Sequence, residues 1–252
     1  MNRQMQIGFT QRLQLQWLDR TAELLSAGNS RAQIKETLTE LLRDQLSLNG
    51  TEGRGSRDKT VTILLKTWVT VPSHLEAIRD DALEHYRRRS VKDRLPLHWG
   101  MVMAVYPFFA VVAEAVGRLL RLQGTAAAAQ VQRRVRERLG ERETVSRATQ
   151  RILRTIIDWG VLHEAYDKGV YRSNPAHRIN DTRLAAWLIE ACLLGTGSSS
   201  ATIEVISKSP ALFPFGLPWI STRELETTNR LEVFREGGDI DTIAIRRNGS
   251  GP

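Results

Sequence analysis

The sequence predicts a mainly α-helical protein with small β-hairpins. Long stretches carry apolar residues at spacings of three and four, β-prone runs occur only beside glycine-containing turns, and 41% of the 252 residues are hydrophobic. The length suggests two or three compact units. We expect a helical N-terminal domain over 1–95, a second domain over 96–180, and a third domain of helices and a β-hairpin over 181–252.

The first domain is expected to begin with two amphipathic helices between residues 11 and 46. Gly28 and Asn29 fit the turn between them, and Ser30 fits the cap of the second helix. The stretch NGTEGRGSRDKT at 49–60 has three glycines and no large apolar residue, which predicts a loop.

Two further helices are expected before residue 95. The first contains the apolar residues of 61–68 and is stopped by Pro72; the second is SHLEAIRDDALEHYRRRS, with Ser73 as its N-cap. The three arginines at 87–89 end that helix, where cations favour the negative end of the helix dipole. They are equally candidates for phosphate contacts, so both interpretations stay open.

The second domain begins with a strongly apolar helix over about 98–122. Its uncharged stretch, 99–113, has 15 residues, which at about 1.5 Å each span roughly 22 Å, short of a hydrocarbon core of roughly 30 Å. We therefore expect a buried helix and no membrane contact.

The rest of the second domain has the order of a winged helix-turn-helix. A basic helix over about 125–139, a turn at Gly140 and a helix over about 145–159 are followed by β-prone runs on either side of Lys168 and Gly169. Two helices, a turn, a helix and a two-stranded wing follow one another as in that fold.

Positive charge is concentrated in this region. The chain has a net charge of +8 and a pI near 10.1, and between Arg118 and Arg154 ten arginines face three glutamates. Such a balance is typical of proteins that meet a polyanion, and nucleic acid is the leading candidate.

The helix over 145–159 is expected to bury one face and to expose a basic one. The apolar residues at helical spacing are Val145, Ala148, Ile152, Ile156 and Trp159. Arg147, Arg151 and Arg154 follow one another at i, i+4 and i+7 on another face, with no compensating carboxylate expected there. Arginine matches phosphate or the edge of guanine, and glutamine can pair with adenine. The residues expected to contact nucleic acid on this helix are Thr144, Ser146, Arg147, Gln150, Arg151 and Arg154.

The hairpin and the preceding helix supply further candidate contacts. In a winged helix the wing tip lies over the nucleic-acid backbone, so Lys168 and Arg172 are expected to contact phosphate. His177 and Arg178 are weaker candidates. On the preceding helix, Arg133 and Arg134 are also expected to contact nucleic acid. If the basic stripe makes no contact, the expected contacts are Arg133, Arg134, Arg136 and Arg138.

Two other interpretations of this surface stay open. A basic stripe can be a solvated helix face in a winged helix that binds proteins. RNA is a third partner, although readers of single-stranded RNA usually offer exposed aromatic side chains, which the stripe lacks.

The last third repeats the earlier order of elements. A helix over 181–194 starts at Asp181, and GTGSSS at 195–200 lacks the lysine of a phosphate loop, so it predicts a capped helix start for a helix over 199–209. A proline-rich connector, a short helix in STRELETTN and a hairpin with GGD at its turn complete the chain. A second winged-helix-like unit is therefore expected.

Nothing in the sequence predicts an enzyme, a metal site or a cofactor. Five histidines lack metal-ligand spacing, and no nucleophile has a matched base. The single cysteine, Cys192, excludes a disulfide framework within the chain and favours a reducing, cytoplasmic setting. The stretch MNRQMQIGFTQRLQLQWLDR lacks the apolar core of a signal peptide, so no export is expected.

Several segments together resemble the BrxA family of the bacteriophage exclusion (BREX) phage-defence systems. They are SRDKTVTILLKTW, LHWGMVMAVYPFF, SRATQRILRTIIDWGVL, PALFPF and LEVFREGGD. The resemblance implies a helical protein with winged-helix features that binds double-stranded DNA. It also implies other defence-system proteins as partners and no catalytic site.

Overall fold

The computed structural model describes residues 7–43, 50–226, 228, 230–236 and 240–246, and these are mainly helical with small, mostly antiparallel sheets. The predicted mainly helical class is confirmed. Among the described residues four α-helices precede residue 95, with bounds α1 (Leu15–Ser26), α2 (Arg31–Leu41), α3 (Gly50–Trp68) and α4 (Glu76–Arg87).

The turn between α1 and α2 has the predicted chemistry. Gly28 adopts φ +81°, a conformation that glycine tolerates without strain. Ser30 caps α2 in a capping box, in which its hydroxyl accepts from the amide of Gln33 and the Gln33 side chain accepts from the Ser30 amide. The predicted continuation of this helix over 44–46 lies outside the described residues.

The predicted loop over 49–60 is wrong from residue 50 onward, because this stretch is the first part of α3. Residue 49 lies outside the described residues. Helix α3 packs against α1 and α2, and Thr60, Val61 and Leu64 are almost fully buried. Burial along the second half of the helix therefore outweighs the low helix propensity of its glycines, about 1 kcal/mol each.

Ser73 is not the N-cap of α4. A single 3₁₀ turn over Ser73–Leu75 delays the α-helix to Glu76, and the Ser73 hydroxyl makes no capping hydrogen bond. The predicted helix end is confirmed, since α4 finishes at Arg87 with Arg88 as its C-cap.

The apolar helix predicted over 98–122 is in fact two helices, α5 (Leu95–Val105) and α6 (Pro107–Gln123). The chain bends by 118° at the break between them, because Pro107 has no backbone N–H and can only start a new helix. Every residue of α5 is buried. Within the described ranges no single helix is long and apolar enough to cross a bilayer. Only the bent pair formed by 91–105 and 107–123 has the length and apolar composition of a membrane span.

A three-stranded sheet and two helices follow α6. These elements are β1 (Ala126–Ala127), α7 (Ala128–Leu139), α8 (Glu143–Asp158), β2 (Leu162–Glu164) and β3 (Val170–Ser173). The antiparallel sheet has the order β1-β3-β2, so the hairpin adds the short β1 strand at one edge. The predicted helix, turn, helix and hairpin are confirmed here.

The last third repeats this topology. Its main elements are α9 (Thr182–Thr196), β5 (Ser200–Thr202), α10 (Ile203–Ser207), α11 (Thr222–Glu226), β7 (Leu231–Glu236) and β8 (Ile240–Ile245). The sheet order is β5-β8-β7, and each first strand leads directly into a helix, as in the preceding unit. Two short strands, β4 (His177–Arg178) and β6 (Phe215–Gly216), pair in parallel between the units.

Two predictions for the last third need correction. GTGSSS ends a helix instead of starting one, because Gly197 at φ +71° closes α9 in the left-handed conformation. The helix predicted over 199–209 is strand β5 followed by the single-turn α10, since residues 200–202 pair with β8. Asp181 caps α9 as predicted, and the hairpin is confirmed, with its turn at 237–239 outside the described residues.

One continuous core, from Phe9 to Ile243, includes residues of every described α-helix and of most strands. Trp99 of α5 lies near its middle and makes edge contacts with Phe109, Trp159 and Phe215 at centroid distances of 4.9, 6.1 and 5.8 Å. The segment before α1 also joins α8: the amide of Leu13 donates to the Thr155 hydroxyl at 3.1 Å, and Trp159 Nε1 donates to the Leu13 carbonyl at 3.0 Å.

Candidate nucleic-acid interface

Helix α8 buries the face that the sequence predicts and exposes the arginines. All five predicted apolar residues, Val145, Ala148, Ile152, Ile156 and Trp159, are at most 5% exposed. On the other face, Arg147 and Arg154 are exposed and Arg151 is half-buried. We call these three residues the arginine stripe.

The expectation that the arginine stripe lacks a carboxylate is wrong for Arg147. Helix α8 begins at Glu143, two residues earlier than predicted, and this places Glu143 one turn before Arg147, with which it forms an ion pair. Arg151 and Arg154 have no carboxylate partner among the described residues. These two guanidiniums therefore form the uncompensated part of the stripe.

The C-terminal end of the stripe carries an acid and a cation that sequence reasoning missed. Asp158 lies four residues after Arg154 and pairs with Arg12 from the segment before α1. The hydrogen bond from Arg12 to Asp158 raises the pKa of the guanidinium, whose side chain remains 54% exposed. No local signal reveals Arg12, because 146 residues separate it from Asp158.

The polar residues predicted beside the stripe lie on both of its sides. Thr144 and Gln150 are exposed and Ser146 is half-buried. At 100° per residue, Thr144 lies on one side of Arg147 and both Gln150 and Ser146 lie on the other. The stripe is thus flanked by side chains that can donate or accept hydrogen bonds.

The hairpin places Lys168 and Arg172 in solvent. Strand residue Arg172 pairs in register with His163, and both are exposed. Gly169 turns the chain at φ +77°. Its amide donates to the Glu164 carboxylate at 2.8 Å, and this hydrogen bond stabilises the turn of the hairpin. Neither Lys168 nor Arg172 pairs with an acid in the part of the chain that the structure describes.

The two predicted contacts on α7 differ in exposure. Arg133 is exposed and makes a loose pair with Glu137 at 3.6 Å. Arg134 is half-buried in a cleft against α6, together with Glu114, Arg118 and other residues. Arg138, also in this cleft, pairs with Glu114. The structure therefore does not bring Arg134 together with the stripe.

The arginines at the end of α4 all have partners within the protein. Arg87 donates to the Ser26 hydroxyl, Arg88 pairs with Glu84, and Arg89 pairs with Asp181, the cap of α9. These contacts favour the structural interpretation of the cluster. His177 and Arg178 are exposed on β4 and line the same cleft as Arg88 and Arg89.

These features define a basic, mainly helical protein that presents an arginine-bearing helix and a cationic hairpin to solvent. Across the described ranges, no group of three metal-ligating side chains could hold a metal ion. No protein-family model, curated protein or solved structure matches the chain.

Proposed function

We propose that this protein binds double-stranded DNA without catalysis, with α8 as the recognition helix and the β2–β3 hairpin as the wing. On this proposal residues 107–173 form a winged helix-turn-helix, since three helices are followed by a hairpin that pairs with a strand between the first two. The recognition helix of such a unit enters the major groove, and its wing contacts the backbone beside it.

The observation that carries the proposal is the pair Arg151 and Arg154. Their guanidiniums project from a helix whose opposite face is buried, and neither has a carboxylate partner among the described residues. Like charges one helical turn apart destabilise a helix slightly, so Arg151 and Arg154 do not serve folding. An external polyanion relieves the repulsion, and Arg forms bidentate bonds with phosphate or guanine.

The resemblance to the BrxA family supports a place in a phage-defence assembly. In that setting the stripe and the wing hold the protein on the duplex, and other surfaces contact partner proteins. We propose a cytoplasmic location for this role, in keeping with the single cysteine, Cys192, whose burial raises the pKa of its thiol to about 11.

A second candidate function is that of a protein adaptor, and the C-terminal unit favours it. Its third helix, α11, is five residues long and carries Glu224 and Glu226 in place of a basic stripe. Trp219 of the same unit is 85% exposed and lines a cavity together with Ile203, Leu217 and Pro218, and contiguous exposed apolar surface is typical of protein-contact sites. If unrelated duplex DNA fails to bind the protein or to displace it from a partner, the adaptor function is favoured.

The test compares two double variants that remove the same charge. Arg151→Gln with Arg154→Gln should lower duplex affinity at least about tenfold at about 0.1 M salt and reduce the salt slope by about two units. The control, Arg31→Gln with Arg223→Gln, changes exposed arginines on α2 and α11 and should bind as the unaltered protein does.

Fluorescence anisotropy gives the affinities, and thermal melting shows that both variants fold. Equal affinity of the two double variants would mean that net charge, and not the stripe, governs binding. RNA as the true partner would appear as tighter binding of single-stranded RNA than of duplex DNA in the same titration.

A further inference from the structure

A pocket of about 550 Å³ lies at the N-terminal end of α8. Its walls come from three parts of the chain that are distant in sequence: the segment before α1, helix α3 and the start of α8. The lining residues are Ile7, Phe9, Thr10, Gln11, Lys59, Arg142, Thr144, Arg147, Ala148 and Arg151.

Four of these side chains are cationic and none is acidic. Arg142 is the N-cap of α8, where the positive end of the helix dipole disfavours a cation. Lys59, Arg142 and Arg151 have no carboxylate partner within the described part of the chain, and only Arg147 is paired, with Glu143. Bringing these cations together therefore costs electrostatic free energy, which a bound anion would offset.

The rest of the lining includes both polar and apolar side chains. The Thr10 and Thr144 hydroxyls and the Gln11 amide can donate to an anion. The half-buried Ile7 forms the apolar floor, and behind it lie the buried Ala148 and Phe9, of which Phe9 makes an edge contact with Tyr106 at 5.7 Å. The size, the apolar floor and the few polar groups are those of a small-molecule site.

We propose that this pocket holds one nucleotide, with its phosphate among Lys59, Arg142 and Arg151 and its sugar or base against the apolar floor. An inorganic anion would use the cations alone and leave the floor uncovered. The nucleotide comes from one of two sources: an unpaired nucleotide of a bound nucleic-acid strand, or a free mononucleotide.

The inference rests on the proposed function, because Arg147 and Arg151 belong to both the pocket and the arginine stripe. A nucleotide at the end of a strand would extend the duplex contact onto helix α3. A free nucleotide would use cations that the duplex also needs, and would therefore compete with it.

The experiment uses Lys59→Gln, since Lys59 lies outside the stripe and outside the winged unit. Lys35→Gln is the matched control, an exposed lysine on α2 that does not line the pocket. One arm compares a blunt duplex with the same duplex carrying a single-stranded overhang, measured by anisotropy. The other arm titrates AMP by calorimetry and then adds AMP to the protein–duplex complex.

If the nucleotide belongs to a bound strand, the unaltered protein should bind the overhang duplex more tightly than the blunt one. Lys59→Gln should lose this preference and bind the overhang duplex about three- to tenfold more weakly at about 0.1 M salt, as expected for one phosphate contact. If the nucleotide is free, the unaltered protein should bind AMP, Lys59→Gln should weaken this binding by about three- to tenfold, and AMP should displace the duplex. Lys35→Gln should match the unaltered protein in both arms.

The inference is overturned if the unaltered protein shows neither overhang preference nor AMP binding, or if Lys59→Gln and Lys35→Gln behave alike. Failure of the proposed function is a separate result. It would show as absence of duplex binding, or as duplex binding that the stripe variants leave unchanged, whatever the outcome of the AMP titration.

Discussion

Arginine side chains serve two different purposes in this protein, and their carboxylate partners distinguish them. Arg230 makes a two-pronged contact with Glu190, which is 2% exposed, through bonds of 2.7 and 2.9 Å, and it also reaches Asp81. Burial raises the pKa of Glu190, while the hydrogen bond from Arg230 opposes that rise. Such an arginine is held by the fold, whereas Arg151 and Arg154 have no carboxylate partner among the described residues and remain available to a ligand.

His98 is the most deeply buried ionisable group in a second polar cluster, with Asp19, Arg94 and Tyr86. Its Nε2 atom lies 3.4 Å from the Asp19 carboxylate, and its Nδ1 atom has no hydrogen-bond partner among the residues that the structure describes. Arg94 stacks over the Tyr86 ring at 3.9 Å and donates to Asp19 at 3.1 Å. Burial lowers the pKa of His98, although Asp19 partly opposes this effect.

This buried histidine predicts loss of stability in acid. The unfolded chain protonates His98 near its ordinary pKa of about 6.5, while the folded protein keeps it neutral to lower pH, so stability falls as the pH drops below that value. We expect the melting temperature to drop between about pH 7.5 and about pH 5.5 by a few degrees more in the unaltered protein than in His98→Gln. The exposed His163→Gln is the control and should behave as the unaltered protein; equal losses in all three proteins would contradict the role of His98.

At the scale of elements, some glycines within helices are required for close packing, whereas others have no packing role. A Cβ atom added to Gly117 of α6 would lie 2.0 Å from the carbonyl oxygen of Pro210, so the helix can approach that backbone only because residue 117 has no side chain. A Cβ atom on Gly55 of α3 would meet nothing within 4 Å. The same residue type is required at one position and replaceable at the other.

Two alanine substitutions should therefore shift stability in opposite directions. Gly117→Ala forces α6 away from the carbonyl oxygen of Pro210 and should lower the free energy of unfolding by about 1–3 kcal/mol, as overpacking does. Gly55→Ala improves helix propensity and should add up to about 1 kcal/mol. Chemical denaturation measures both free energies of unfolding, and a stable Gly117→Ala protein would show that the Pro210 contact relaxes easily.

The hairpin is the element for which phosphate contact is most directly testable. Lys168→Ala with Arg172→Ala should weaken binding to all duplex sequences alike, because phosphate contacts carry no sequence information. Anisotropy titrations with several unrelated duplexes measure this. Unchanged affinity at low salt would mean that the wing points away from the duplex, and a loss confined to one sequence would point to base contacts.

At the scale of the whole molecule, the distribution of charge predicts the response to ionic strength. If the exposed cations of α8, the hairpin and the pocket neutralise about five to seven phosphates, the logarithm of duplex affinity should fall with the logarithm of salt at a slope of roughly −4.5 to −6. A titration over a range of salt concentrations gives this slope. A value near zero would exclude a binding mode dominated by phosphate.

Much of the local structure follows from the sequence alone. The apolar spacing of α8, the cap at Ser30, the turn at Gly169 and the C-terminal hairpin are determined by neighbours within a few residues, where periodicity and turn chemistry act. The order of helices and hairpins in the last two units follows for the same reason, whereas the short strands β1 and β5, which pair with distant strands, do not.

Only the tertiary structure decided where distant segments meet. The first half of α3 is helical although its glycines predict a loop, because the rest of that helix is buried against α1 and α2. Arg12 reaches Asp158 and Lys59 joins Arg142 at one pocket, although more than eighty residues separate each pair. Such contacts depend on how the helices pack in one shared core, and no pattern of local spacing encodes that arrangement.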